Sequence, residues 1–174
     1  LDQYKNIISS VFPSHGIQFF VDEKRRISSH PLCRYIIGIL ELISSNWQYI
    51  SVFSFLKTGL YERNMLLVDK LENEILAKGI KGKSGVKGWV KYTEKCKAEI
   101  AEASEKGLTY RNDIAAKLLA VKLFNDVESF REEIKKSKSV SECCDAVVRF
   151  LIKTEIYKKI SAIAAELRKQ GRLD

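Results

Sequence analysis

Proline occurs only twice in the 174 residues, at Pro13 and Pro31. It lacks a backbone N–H and clashes with the preceding helical turn, so it is the strongest single interrupter of a helix. Beyond Pro31 nothing of that kind breaks the chain, and much of the remaining punctuation is crowded into Gly79–Gly88, which holds four of the nine glycines. With 45% hydrophobic residues there is enough apolar material for a core. Long helices joined by few turns are the expected architecture.

The apolar spacing assigns the segments. Tyr4, Ile7, Ile8 and Val11 repeat at helical intervals before Pro13 and Gly16. Ile17–Val21 is a short β-rich run that reads as a strand. A single strand leaves its backbone donors and acceptors unpaired, which implies partners elsewhere in a longer protein. The opening at Leu1, without an initiating Met, suggests the same. Asp22–Ser29 is charged and irregular. Ser29 or His30 then caps a helix with Pro31 in its first turn, where the missing N–H costs nothing. Leu32, Tyr35, Ile36, Ile39, Leu40 and Ile43 give that helix a broad apolar stripe. Ser44–Asn46 ends it, and a short helix to Leu56 stops at Thr58–Gly59. Further helices are expected over about 61–77, 89–106 and 109–136, with a loop over 79–88. Ser139 and Glu142 have the spacing of a capping box before the last helices, which carry Phe150, Leu151, Ile156 and Ile160. The chain reads as mainly α, an irregular multi-helix domain with one short strand near its N-terminus.

The formal net charge is +8. Such a balance suits a polyanionic partner, and equally a lysine-rich solvated surface. Lys78–Lys97 concentrates the charge: seven lysines against the single acid Glu94, with Trp89 and Tyr92 among them. Lysines neutralise phosphates and aromatics stack on bases. Alternatively, Trp89 anchors the segment to the core. Gly79–Ser84 superficially resembles a phosphate-binding loop, but only two residues separate Gly79 from Gly82 where four are required, and a helix precedes it where a strand is needed. ATP binding there is rejected. Cys33, Cys96, Cys143 and Cys144 form no C-x-x-C pair, and His15 and His30 are too few for a zinc set. No nucleophile–base pair or metalloprotease motif is present, so no catalytic residue and no metal ligand is assigned. No apolar run reaches the roughly 18 residues that cross a bilayer, and no signal peptide opens the chain. The cytoplasm is the expected compartment.

Specific strings carry a resemblance. Gly16–Arg25, followed by His30-Pro31-Leu32, then Asn46-Trp47-Gln48-Tyr49, Val52-Phe53, Leu56–Leu60, Leu71-Glu72-Asn73, Gly79–Gly82 and Trp89 occur in order. Together they resemble AddB proteins, the B subunits of Firmicute AddAB-type ATP-dependent helicase–nucleases. The resemblance is dense over residues 16–89 and rests only on helical pattern beyond. Gln18 departs from a position where that family often has proline.

The resemblance implies that residues 1–29 are an edge of the second RecA-like motor domain. Residues 30–174 would be a helical inserted subdomain of the helicase 2B type, an internal segment with no catalytic site of its own. It implies cofactors elsewhere in the parent (ATP, Mg and a 4Fe–4S cluster) and none in this segment. DNA and the A subunit of the heterodimer are the implied partners, in the repair of double-strand breaks. Arg25, Lys81, Lys83, Lys87 and Lys91 are the candidate phosphate contacts, chosen by charge. The competing class is a basic helical protein-interaction module that never touches DNA.

Overall fold

A computed structural model describes residues 4–20, 27–80, 85–106 and 112–170. Among them are eight α-helices: α1 (Lys5–Ser14), α2 (Pro31–Ser44), α3 (Tyr49–Leu56), α4 (Met65–Ala77), α5 (Gly85–Glu105), α6 (Asn112–Lys136), α7 (Val140–Lys153) and α8 (Ile156–Lys169). A 3-10 turn, Ile27–Ser29, precedes α2.

The long helix α6 is the hub and packs against α2, α4, α5 and α7. Ala116, Leu119, Ala120, Leu123, Val127 and Phe130 bury one broad face of it at the three- and four-residue intervals that keep side chains on one side of a helix. α2 brings Tyr35, Ile39 and Leu42 into the same core, and α4 brings Val68, Leu71 and Ile75. Gly38 is buried where α2 packs on α3, and a Cβ there would meet Phe55 at 3.4 Å, about ordinary van der Waals contact. Phe150 of α7 packs at a tilt on Phe130, with centroids 4.8 Å apart, and stacks on Tyr35 at 6.2 Å. α8 buries only Ile156 and is a peripheral helix. Among the described residues α1 adds none to this core, and Ile7 and Val11 on it are exposed.

The start of α2 follows its sequence. The His30 Nδ1 accepts from the Leu32 N–H at 3.2 Å, and Pro31 occupies the first turn. The start of α7 follows it only in part. Ser139 Oγ accepts from the Glu142 N–H at 3.2 Å, but the Glu142 carboxylate takes the Lys138 N–H at 2.7 Å and not that of Ser139.

Three expectations are corrected. Ile17–Phe20 forms no strand: the Ile17 N–H turns back to the Phe12 carbonyl at 2.9 Å, and no ladder partner lies among the described residues. Val21 lies outside them. The expected loop over 79–88 is shorter, because α5 begins at Gly85 and its first turn includes Lys87 and Gly88. Burial of the neighbouring Trp89 holds that glycine-rich turn in helix despite its poor propensity. Finally, α4 begins at Met65 and not near Tyr61, whose ring and hydroxyl are drawn into the core.

Candidate nucleic-acid interface

The lysine-rich segment folds as an amphipathic helix whose two faces have separate tasks. Gly85, Trp89, Tyr92, Thr93, Cys96 and Ala103 are buried along α5, while Lys87, Lys91, Lys95 and Lys97 are exposed. Trp89 is fully buried and packs on Trp47 with ring centroids 5.0 Å apart, and Tyr92 meets it edge-on at 6.0 Å. Neither aromatic offers a face to a base. The reading of Trp89 as a core anchor is the one the structure supports.

The platform under α5 is the corner between α2 and α3. Asn46 and Trp47 both adopt positive φ, 57° and 65°, a backbone region that costs non-glycine residues about 1 kcal/mol or more. Their surroundings hold them there. The Trp47 Nε1 donates to Glu128 Oε1 at 2.6 Å. Arg131 donates to the Ile43 carbonyl at 3.0 Å and to Asn46 Oδ1 at 3.3 Å. Gly85 then sits directly against this corner: a Cβ on it would lie 2.8 Å from the Asn46 carbonyl oxygen. A side chain at 85 would push α5 away, so glycine sets the closeness of the contact.

The exposed face of α5 carries its charges against the helix dipole. The first turn has no acid and the last turn no base, although acids near the N-terminus and bases near the C-terminus are the stabilising arrangement. Lys87 and Lys91 lie one turn apart on the same side, and no carboxylate lies within ion-pair distance of either among the described residues. Lys95 is 3.8 Å from Glu99, and Glu99 is in turn held by Lys117 at 2.6 Å. The Lys117 ammonium keeps the Glu99 carboxyl below the usual glutamate range. Lys78 pairs with Glu74 at 3.4 Å and lies 5.7 Å from the centre of the Tyr92 ring. Of the sequence candidates, Lys87 and Lys91 are thus brought together on one face; Arg25, Lys81 and Lys83 lie outside the described residues.

A second basic cluster was not visible in the sequence. Asp126, buried on α6, accepts from the Tyr61 hydroxyl at 2.7 Å and pairs with Lys153 at 2.9 Å. The Lys159 Nζ donates to the Tyr61 carbonyl at 2.7 Å, and Lys122 lies 5.9 Å from the Tyr61 ring centre. Burial, reinforced by Lys122, lowers the Lys159 amine below its ordinary pKa. Glu62 and Glu155 counter these charges. The cluster locks α6, α7 and α8 around Tyr61. Residues from three distant stretches meet here, so no local signal marks it. Among the described residues no three His, Cys, Asp or Glu side chains gather to hold a metal ion. No described helix is long and apolar enough to cross a membrane.

No family model matches the chain. Curated relatives do. The chain is 36% identical over its whole length to the B subunit of an ATP-dependent helicase/deoxyribonuclease from Clostridium botulinum (strain Loch Maree / Type A3). The chain is homologous to a segment of AddB. A protein of the same name from Clostridium perfringens (strain SM101 / Type A) is 34% identical over 87% of the chain. One from Caldanaerobacter subterraneus subsp. tengcongensis is 30% identical over all of it. The chain spans only 13–15% of the length of these AddB relatives. The residues that carried the resemblance sit at structural corners of the chain. His30 is a cap, Asn46 and Trp47 form the left-handed corner, Gly59 and Gly79 take positive φ, and Trp89 is the anchor.

Proposed function

We propose that this segment is a helical scaffold within the B subunit of an ATP-dependent helicase/deoxyribonuclease, where it forms part of the wall of the DNA channel. Residues 1–29 belong to the edge of a RecA-like motor domain, and residues 30–174 form a 2B-like inserted subdomain. The parent acts in double-strand break repair in the cytoplasm with an A subunit. ATP, Mg and the 4Fe–4S cluster serve the parent outside this segment.

The observation that carries the reading is the division of α5: aromatics inward on Trp47, lysines outward, with Lys87 and Lys91 on one face. Such a surface meets the phosphodiester backbone and reads no base. Arg25, Lys81 and Lys83, outside the described residues, are further candidate phosphate contacts by charge. Binding is then independent of sequence and falls steeply with salt. Fluorescence anisotropy with single- and double-stranded oligonucleotides at low and physiological salt tests this. Salt-sensitive binding is expected, and absence of binding at low salt overturns it. The second reading, a protein-docking module, draws on a different observation: Ile152 and Tyr157 are 71% and 84% exposed. Docking through such a face would depend little on salt.

A further inference from the structure

Lys87 and Lys91 each stand two residues from Trp89. At 3.6 residues per turn both lie roughly 160° round the helix from it. Whatever fixes the buried side of α5 therefore fixes the direction of its basic face. That side rests on one corner of the fold. Trp89 packs on the Trp47 ring, and Gly85 lies so close to Asn46 that an added Cβ would be 2.8 Å from its carbonyl oxygen.

The corner does not hold itself. Asn46 and Trp47 are consecutive non-glycine residues at positive φ, a conformation that persists only where surrounding contacts impose it. Those contacts come from one turn of α6. Glu128 Oε1 accepts from Trp47 Nε1 at 2.6 Å and lies 3.6 Å from Arg131 Nε. Arg131 Nη2 donates to the Ile43 carbonyl at 3.0 Å, and Nη1 donates to Asn46 Oδ1 at 3.3 Å. The Glu128 and Arg131 side chains are only 26% and 12% exposed. Water competes little for these bonds, and a charged partner makes each stronger than a neutral one would. One carboxylate and one guanidinium thus brace both residues of the corner.

We infer that Glu128 and Arg131 are positioning residues for the basic face of α5: through the Asn46–Trp47 corner they set the roll of that helix, and so the reach of Lys87 and Lys91 to phosphate. This rests on the phosphate-contact reading proposed above. Neither residue meets phosphate itself. Glu128 is an anion, and all three Arg131 guanidinium nitrogens are turned onto Glu128 and the corner.

Anisotropy titrations of duplex DNA against the full 174-residue chain, at several salt concentrations, test this with three variants. Arg131→Lys keeps the charge, but a single ammonium replaces the fork that reaches both the Ile43 carbonyl and Asn46. Glu128→Gln and Glu128→Met remove the same negative charge, and only the first keeps an oxygen for the Trp47 indole. Each variant is measured where its far-UV circular dichroism matches the parent's. Arg131→Lys and Glu128→Met should bind at least about threefold more weakly at low salt, with slopes shallower by about 0.9–1.8, the loss of one or two phosphate contacts. Glu128→Gln should match the parent or bind more tightly. Arg131→Lys, free of any change in charge, decides alone where Glu128→Met does not fold. Parent-like affinity and slope for Arg131→Lys, or equal binding by the two Glu128 variants, overturns the inference and leaves the phosphate reading standing. A parent chain that binds no DNA at low salt overturns the phosphate reading, and the inference with it.

Discussion

Replacing Lys87 and Lys91 with alanine removes two charges from the exposed face of α5 without touching its buried face. Four residues of helix separate the two positions, about 6 Å along the axis, so each can neutralise a different phosphate. Each phosphate neutralised contributes a slope of about −0.9 to log K against log salt on duplex DNA and about −0.7 on a single strand. The double variant should therefore bind duplex with a slope shallower by about 1.8, and single strands by about 1.4. Between about 50 and 200 mM salt the affinity ratio of parent to duplex-bound variant should shrink by about tenfold. Anisotropy titrations at four or five salt concentrations measure this directly. Lys95→Ala should change the slope less, because Glu99 already lies 3.8 Å from its ammonium. Parallel lines for parent and double variant, whatever their offset, would show that these lysines do not contact phosphate.

Both tryptophans are buried, so their emission should be blue and should stay unquenched as single-stranded DNA is added; quenching would mean that a base reaches Trp89. Gly85→Ala should destabilise the fold in urea unfolding by about 1–3 kcal/mol, because φ there is +42° and an added Cβ would lie 2.8 Å from the Asn46 carbonyl oxygen. Gly79→Ala, with positive φ but nothing within 4 Å, should cost only roughly 1 kcal/mol. A double-mutant cycle on Tyr61→Phe and Asp126→Ala should give a coupling of about 1 kcal/mol, since without the carboxylate the buried Tyr61 hydroxyl loses its acceptor; additive effects would break the proposed lock. The Glu99 carboxyl is held below its ordinary pKa by Lys117. Its contribution to stability is therefore present above the usual glutamate range and lost as pH falls through the depressed value. Glu99→Gln should flatten that acid limb in thermal melts, and an unchanged limb would assign it to other carboxylates.

Helices were legible because their signal is local. Apolar residues at 3.6-residue intervals mark α2 and α6, and His30-Pro31 marks where α2 starts. The boundary of α5 is not legible locally because four glycines over 79–88 outweigh its two apolar side chains, Ile80 and Val86. In the folded chain Trp89 packing on Trp47 outweighs that propensity. Ile17–Phe20 has the composition of a strand, but a strand is a relation between two segments. Its described part finds no partner here.

The amino-acid sequence by itself determined a mainly helical, basic chain, a lysine-rich stretch and a likeness to one family. Tertiary structure decided which side of that stretch faces out. It also set Asp126 against the Tyr61 hydroxyl and brought Leu32 and Ile152 to one groove. The physical reason is range. Periodicity, caps and charge act over a few residues and can be read in order. Burial, left-handed corners and paired charges depend on contacts between residues tens of positions apart, which exist only once the helices pack.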